Sequence, residues 1–232
     1  FKNFMQRELI ENIKKINNEI SDACSSIQKS KDDITLIAVS KRKGYQLIEL
    51  ALENGIINFG ENYAQELKEK SSLINSNKII WHFIGPIQSN KIKILVKYAD
   101  WIHTIDREKV ATKLDHECKK LDKVINACIQ INISNEASKS GCHPEELLDL
   151  AKLVKSMENV NLKGIMALPK LTNDKNERDI MMQSVKELSL KLQSVYPEAS
   201  YISLGTTSDF KDAIINGANM VRIGESIFGK RL

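Results

Sequence analysis

Short apolar runs alternate with amphipathic segments along most of this chain. The runs are rich in Val, Ile, Leu and Phe, which is typical of strands buried on both faces of a parallel sheet. Between them, apolar residues recur three or four positions apart, which indicates helices. The predicted strands are residues 34–39, 56–59, 79–84, 101–105, 124–133, 162–168, 201–204 and 220–223.

The alternation favours a closed barrel of class α/β. Parallel strands joined by right-handed helical crossovers close most simply into a (β/α)8 TIM barrel, which typically takes about 250 residues. We therefore expect a single barrel domain over residues 1–232. A doubly wound open sheet is the alternative, but it usually carries G-x-G-x-x-G after its first strand, where this chain has S-K-R-K-G at 40–44.

An extra helix is predicted before the first strand, within residues 1–30. Its apolar residues fall on one stripe and are Leu9, Ile13, Ile16, Ile20, Ala23 and Ile27. Because this helix precedes the first strand, we expect it to pack on the outside of the barrel as an extra helix, with coverage of a barrel end as the alternative.

The composition excludes several classes of protein. The formal net charge of the 232 residues is only +4, and the Lys and Arg residues are dispersed, so we expect no nucleic-acid partner. No apolar run approaches the roughly 20 residues that span a bilayer, and no signal peptide is evident. The 4 cysteines form no C-x-x-C pair, which favours reduced thiols. We expect a cytoplasmic protein without membrane association.

Two polar turns follow the last two predicted strands, where barrels of this class commonly bind phosphate. They are G-T-T-S at 205–208 and G-E-S at 224–226. Each precedes a helix, and the free N–H groups of a helix N-terminus favour an anion. Ordinary capping of the helices by Ser and Thr is the alternative interpretation.

Lys41 ends the first predicted strand and Arg222 lies in the last, so closure of the barrel makes them neighbours. Burial at the barrel mouth disfavours the ammonium form of a lysine. A free amine beside a phosphate turn suggests pyridoxal phosphate, which also needs a partner for its ring nitrogen. Arg222 would donate to that nitrogen and keep it unprotonated, which makes the ring a poor electron sink. The alternative is that Lys41 is a solvated rim lysine.

The histidines give weaker indications of function. His82 lies between Trp81 and Phe83 in a predicted strand, and His103 is placed similarly, so we interpret both as core histidines with satisfied hydrogen bonds. No Ser-His-Asp set and no metal-ligand spacing is convincing. We therefore predict no catalytic residue and no metal site.

Several motifs occur in a fixed order between residues 34 and 229. They are I-A-V-S-K at 37–41, F-G-E-N-Y at 59–63, W-H-F-I-G-P-I-Q-S-N-K at 81–91, H-T-I-D at 103–106, I-Q-I-N-I-S at 129–134, S-K-S-G at 138–141, G-I-M-A-L at 164–168, S-L-G at 203–205 and V-R-I-G-E-S-I-F-G at 221–229. This series closely resembles the YggS/PROSC family of pyridoxal phosphate homeostasis proteins.

The resemblance implies a fold like the N-terminal barrel domain of alanine racemase, without that enzyme's second domain. It implies a Schiff base between Lys41 and pyridoxal phosphate, Arg222 facing the ring nitrogen, and Lys139 closing over the site. The other cofactor-binding residues expected at the strand ends are Asn62, Met166, Ser203, Gly205, Thr206, Thr207, Gly224 and Glu225.

One stretch departs from the family pattern, which usually reads S-x-G-M-S-x-D after the seventh strand. This chain has Thr206 and Thr207 in place of the methionine and serine. A hydroxyl is kept at 207, but an apolar contact is lost at 206, so we expect altered phosphate affinity with the same binding mode.

The leading hypothesis is a protein that binds pyridoxal phosphate and buffers it or delivers it to apo-enzymes, without robust catalysis. Racemisation needs an acid and a base on opposite faces of the cofactor, and two-domain racemases take one of these from the second domain. A racemase-like enzyme, a sugar-phosphate isomerase and a pure interaction module are the alternatives. Without the racemase dimer domain, we expect a monomer.

Overall fold

Eight parallel strands form a closed barrel in the computed structural model, which describes residues 2–134 and 140–229. The strands are β1 (Thr35–Val39), β2 (Asn58–Glu61), β3 (Ile80–Phe83), β4 (Trp101–Ile105), β5 (Ile125–Ile131), β6 (Val160–Ala167), β7 (Tyr201–Ser203) and β8 (Met220–Ile223). They pair in sequence order, and β8 closes the ring by pairing with β1. The predicted (β/α)8 barrel is confirmed, and the open-sheet alternative is excluded.

Helices surround the barrel. They are α1 (Lys2–Ser26), α2 (Tyr45–Glu53), α3 (Ala64–Leu73), α4 (Ile92–Tyr98), α5 (Glu108–Lys120), α6 (Leu147–Lys155), α7 (Lys175–Val195), α8 (Phe210–Ile215) and α9 (Glu225–Phe228). Short 3₁₀ turns lie at Lys31–Asp33, Ser89–Lys91 and Pro144–Glu146. No helix in the described ranges is long and apolar enough to cross a membrane.

The extra N-terminal helix packs on the outside of the barrel. It contacts α8 and α9, and its Asn12 Nδ2 donates a hydrogen bond of 3.1 Å to the Ile227 carbonyl. The apolar stripe predicted on this helix is buried from Leu9 to Ala23, and its last member, Ile27, is half-buried beyond the end of the helix. The helix therefore supports α9, which follows β8 and begins at the second polar turn.

The predicted boundaries of the second strand were two residues too early. Ile56 belongs to the turn that ends α2, because its N–H donates to the Ala51 carbonyl. Pairing with β1 begins only at Asn58, which lies opposite Ile37. The strand consequently extends to Glu61, whose buried side chain becomes part of the site.

Side chains alternate between the outer apolar core and the barrel interior. Val221 and Ile223 of β8 join the apolar core between strands and helices. Arg222 between them contacts Ser203 of β7. Several fully buried polar residues lie inside the barrel in the same way, and they position the site described next.

Candidate functional site

A cavity of about 500 Å³ lies at the carboxyl ends of the strands. Seven of the ten cofactor-binding residues predicted from the sequence line it: Lys41, Asn62, Thr206, Thr207, Arg222, Gly224 and Glu225. The residues come from β1, β2, β7 and β8 or from the turns that follow these strands. Closure of the barrel therefore brings together the lysine, the arginine and both polar turns.

The Lys41 side chain makes no hydrogen bond or ion pair with the residues that the structure describes. Its neighbours in the chain, in contrast, are tightly held. Ser40 Oγ donates to Glu61 Oε1 at 2.6 Å, and the Arg42 N–H donates to Glu66 Oε2 at 2.7 Å. The backbone on both sides of Lys41 is thus anchored while its amine is available to a ligand.

These anchors belong to a charged cluster that we call the Glu61 network, formed by Ser40, Glu61, Glu66 and Lys70. Lys70 Nζ donates to the Ser40 carbonyl at 2.6 Å and to both carboxylates at 2.7 Å. Glu61 Oε2 is buried and finds no hydrogen-bond partner in the part of the chain that the structure describes. Burial therefore raises the pKa of Glu61 to about 7, against the opposing effects of Lys70 and Ser40.

Asn62 presents a second buried acceptor without a partner, Oδ1, beside the cavity. Its backbone is fixed by the close approach of Gly85, where a Cβ would lie 2.1 Å from the Asn62 carbonyl oxygen. A side chain at 85 would therefore displace the turn. The asparagine amide is held at the wall of the cavity, with hydrogen-bonding capacity that the described residues leave unused.

Arg222 is a buried cation without a carboxylate partner among the described residues. Nη1 donates to the Ser203 carbonyl at 2.9 Å and to Ser203 Oγ at 2.6 Å, and Nη2 donates to the Ala167 carbonyl at 3.1 Å. A guanidinium has five N–H donors, so these contacts leave others for a ligand in the cavity. Burial lowers the Arg222 pKa to about 10, which keeps the side chain charged at neutral pH.

Arg222 is also the inner end of a longer series of hydrogen bonds, the Arg222 network, formed by Asn58, His82, His103, Ser203 and Arg222. His103 contacts both Ser203 and His82, and His82 contacts Asn58. Burial lowers the pKa of His82 to about 3 and that of His103 well below its usual value. The interpretation of both residues as core histidines with satisfied hydrogen bonds is confirmed.

The two polar turns differ in how many donors they leave for an anion. The N–H and hydroxyl of Thr206 both donate to Asp209 Oδ1, and no side chain caps the N-terminus of α8 or of α9, so the capping alternative is not observed. The backbone N–H groups of Thr207 and Ser208 find no acceptor among the described residues, and neither does that of Gly224. The turns therefore provide backbone N–H groups, among them those of Thr207, Ser208 and Gly224, that can donate to a phosphate.

The remaining predicted residues lie elsewhere. Ser203 and Met166 are fully buried, on strands that pair with each other, and they do not line the cavity. Gly205, also buried, has φ +99°, and a Cβ there would lie 2.6 Å from Ala213 Cβ. These three residues support the site from below. Lys139 lies outside the described residues.

Comparison with known proteins gives the family. The family described as alanine racemase, N-terminal domain, matches residues 12–231. A pyridoxal phosphate homeostasis protein of Haemophilus influenzae is 40% identical over 224 residues, which cover 95% of this chain and 94% of that protein. This chain belongs to the pyridoxal phosphate homeostasis protein family. The resemblance inferred from the motifs is confirmed.

Solved structures extend the comparison. PipY of Synechococcus elongatus, solved with pyridoxal phosphate bound, is 28% identical, covers 90% of this chain and 100% of its own, and has a TM-score of 0.80. An alanine racemase of Clostridium difficile has a TM-score of 0.79 at 17% identity, and the match covers 97% of this chain and 57% of the racemase. That second likeness concerns the fold alone. This member of the homeostasis family therefore has the racemase-type barrel.

Proposed function

We propose that this chain binds pyridoxal phosphate through a Schiff base on Lys41 and serves in homeostasis of that cofactor, without robust catalysis. The observation that carries the proposal is the shared cavity. Within the described residues, it joins an amine that no protein group pairs with, a buried guanidinium with unused donors, and two turns with unsatisfied N–H groups. The cofactor found in PipY and named in the curated relatives has a functional group for each of these.

Each part of the cofactor finds a suitable group in this chain. When bound, pyridoxal phosphate supplies an aldehyde that condenses with a neutral amine and releases water. Arg222 would donate to the ring nitrogen, and the N–H groups of Thr207, Ser208 and Gly224 would hold the phosphate. Asn62 would contact the ring from the side of β2.

The proposed lack of robust catalysis rests on the cavity lining. The titratable side chains among its described residues are Lys41, Lys43, Arg222 and Glu225. The described lining contains no tyrosine, histidine or cysteine to serve the face of the cofactor opposite Lys41. The relation to racemases makes racemisation the activity to test, and formation of D-amino acids at typical enzyme rates would contradict this part of the proposal.

Replacement of Lys41 is the direct test of the binding mode. Lys41→Ala should abolish the Schiff-base absorbance band, and it should change the free energy of unfolding by less than about 0.5 kcal/mol because the side chain makes no hydrogen bond or ion pair with the described residues. Lys41→Arg is the matched control, which keeps the charge but also lacks the reactive amine. The band is measured on protein incubated with pyridoxal phosphate and gel-filtered.

Borohydride reduction followed by peptide mass analysis identifies the attached lysine. Added mass on the peptide position of Lys41 supports the proposal. If the band persists in Lys41→Ala and the added mass is found on Lys43, the Schiff base forms on Lys43 and the assignment to Lys41 is wrong.

We also propose that the bound cofactor is delivered to apo-enzymes and that the protein is a monomer. Activity gained by a pyridoxal-phosphate-dependent apo-enzyme, mixed with loaded protein in the presence of a scavenger of free cofactor, measures delivery. No gain above the scavenger control would contradict it. Light scattering after gel filtration gives the oligomeric state.

A further inference from the structure

Hydrogen bonds cross the barrel interior without a break from Asn58 to Arg222. Asn58 Oδ1 lies 2.8 Å from His82 Nε2, and His82 Nδ1 lies 2.9 Å from His103 Nε2. His103 Nδ1 lies 2.7 Å from Ser203 Oγ, which in turn lies 2.6 Å from Arg222 Nη1. His82, His103 and Ser203 have no exposed surface, so bulk water does not interrupt the series.

The chemistry of its two ends gives this series one direction. Arg222 can only donate, so Ser203 Oγ must accept from it, and the single Ser203 hydroxyl proton is then directed to His103. His103 consequently accepts at Nδ1 and donates from Nε2 to His82. His82 accepts at Nδ1 and donates from Nε2 to the Asn58 carbonyl oxygen.

The reverse direction leaves one buried donor without a hydrogen-bond acceptor. If both imidazoles carried their proton on Nδ1, Ser203 Oγ would accept from His103 as well as from Arg222. Its own hydroxyl proton would then have no acceptor in a fully buried place, which is costly. The forward direction satisfies every group and requires two neutral histidines, each protonated on Nε2.

We infer that Asn58, His82, His103 and Ser203 are positioning residues for Arg222. They hold the Ser203 hydroxyl in the one orientation that presents a lone pair to the guanidinium, and so fix the donors that Arg222 directs to the ring nitrogen. This inference rests on the proposed function, because the ring nitrogen belongs to pyridoxal phosphate. The four residues touch neither the cofactor nor Lys41 in this role; they act through Arg222.

Two of the four members carry most of the effect on Arg222. The guanidinium has no carboxylate partner among the described residues, and its direction is set by neutral oxygens of Ser203 and Ala167. Of these, only Ser203 Oγ depends on another side chain for its orientation, through His103. Removing the hydroxyl should therefore loosen Arg222 while leaving its charge in place.

A binding cycle with two ligands tests this inference. Ser203→Ala should weaken the binding of pyridoxal phosphate about tenfold, the value of one hydrogen bond to a charged group. It should change the binding of the deaza analogue, which has carbon in place of the ring nitrogen, less than about twofold. Ser203→Thr keeps the hydroxyl and is the matched control, with near-wild-type affinity for both ligands.

The outcomes separate this inference from the proposed function. If wild-type protein binds neither ligand, the proposed function fails. If wild type binds and Ser203→Ala weakens both ligands equally, or neither, the positioning role is wrong while cofactor binding stands. A change in the absorbance maximum of the bound cofactor in Ser203→Ala, restored in Ser203→Thr, is an additional expected result.

Nitrogen NMR of the ligand-free wild type tests the direction of the series without any variant. Long-range proton–nitrogen spectra at pH 7 should show His82 and His103 as neutral imidazoles with the proton on Nε2. A proton on Nδ1 of either ring, or a charged imidazolium, would overturn the inferred direction.

Discussion

Two buried polar networks flank the cavity, and they differ in charge and in completeness. The Glu61 network contains two carboxyl groups and one ammonium, and no described residue donates to Glu61 Oε2. The Arg222 network contains one cation and four neutral groups whose hydrogen bonds satisfy one another along the series. One anchors the backbone around Lys41, and the other holds the side chain of Arg222. The barrel therefore supports its two candidate cofactor-binding residues differently: a network with several charges lies beside Lys41, and a network of neutral groups holds Arg222.

Titration of Glu61 in its network should make the fold less stable as the pH rises. Burial raises the pKa of Glu61 from 4.5 to about 7, so the folded state binds this proton more tightly than the unfolded state does. The stability contributed by the protonated form is complete below pH 4.5 and is lost as the pH rises through about 7.

The Arg222 network should act in the opposite sense. Burial lowers the pKa of His82 from 6.5 to about 3, and burial, His82 and Arg222 lower that of His103. As the pH falls, the unfolded state therefore takes up these protons at a higher pH than the folded state does. The stability contributed by the neutral histidines is complete above pH 6.5 and is lost as the pH falls towards about 3.

The largest effect on stability should come from breaking the Glu61 network at its cation. Lys70→Met should cost about 3 kcal/mol at pH 8, because removing one partner leaves buried carboxylate charge uncompensated. The cost should fall at pH 5, where Glu61 takes up a proton. Urea unfolding at both pH values measures it.

Lys120→Met is the matched control on another helix. Lys120 pairs with Glu117 at 3.1 Å, but its side chain is 52% exposed, against 8% for Lys70. Its loss should cost less than about 1 kcal/mol, with little dependence on pH. Equal costs for the two substitutions would show that burial of the Lys70 pair contributes nothing.

An effect of similar size, but seen only as a change with pH, should follow from removing the titration of Glu61. Glu61→Gln keeps an oxygen that can accept from Ser40 and Lys70 but cannot ionise. Relative to wild type, the free energy of unfolding of this variant should increase by on the order of 3 kcal/mol between pH 4.5 and pH 7, since one pKa unit corresponds to about 1.4 kcal/mol. Urea unfolding across this range gives the difference.

Glu69→Gln on the exposed side of α3 is its control, and its profile should run parallel to that of wild type. The same parallel profile for Glu61→Gln would mean that the Glu61 carboxyl titrates alike in the folded and unfolded states. The charged network would then lack the pH dependence that distinguishes it from the Arg222 network.

The comparison also shows what the sequence could and could not predict. Strand order and strand ends predicted the cavity, because closure of a parallel barrel brings Lys41 and Arg222 together whatever their side-chain contacts are. The inward direction of His82 was readable from the alternation with Trp81 and Phe83. Its connection through Ser203 to Arg222 was not, since it depends on the register of strands far apart in the chain.

The Glu61 network was harder to predict. Lys70 is one of many lysines, and the pattern of α3 does not distinguish it from an exposed residue such as Lys68. A carboxylate directly after Gly60 in a buried strand was the available signal, because a buried charge needs a partner. Which lysine supplies that partner depends on how α3 packs against β1 and β2.

The smallest expected effect lies at the outer end of the Arg222 network. Asn58→Leu removes the terminal acceptor, but Asn58 is only partly buried, so water can replace its oxygen. We expect a loss of stability below about 1 kcal/mol and less than a twofold change in cofactor affinity.

Asn58→Asp keeps the acceptor and adds a negative charge, which should raise the pKa of His82 in NMR titrations. Together with the tenfold effect expected for Ser203→Ala, this makes a gradient along the network. If Asn58→Leu lowered the cofactor affinity as much as Ser203→Ala, the whole series would act as one rigid unit, and water would not replace the Asn58 oxygen at its end.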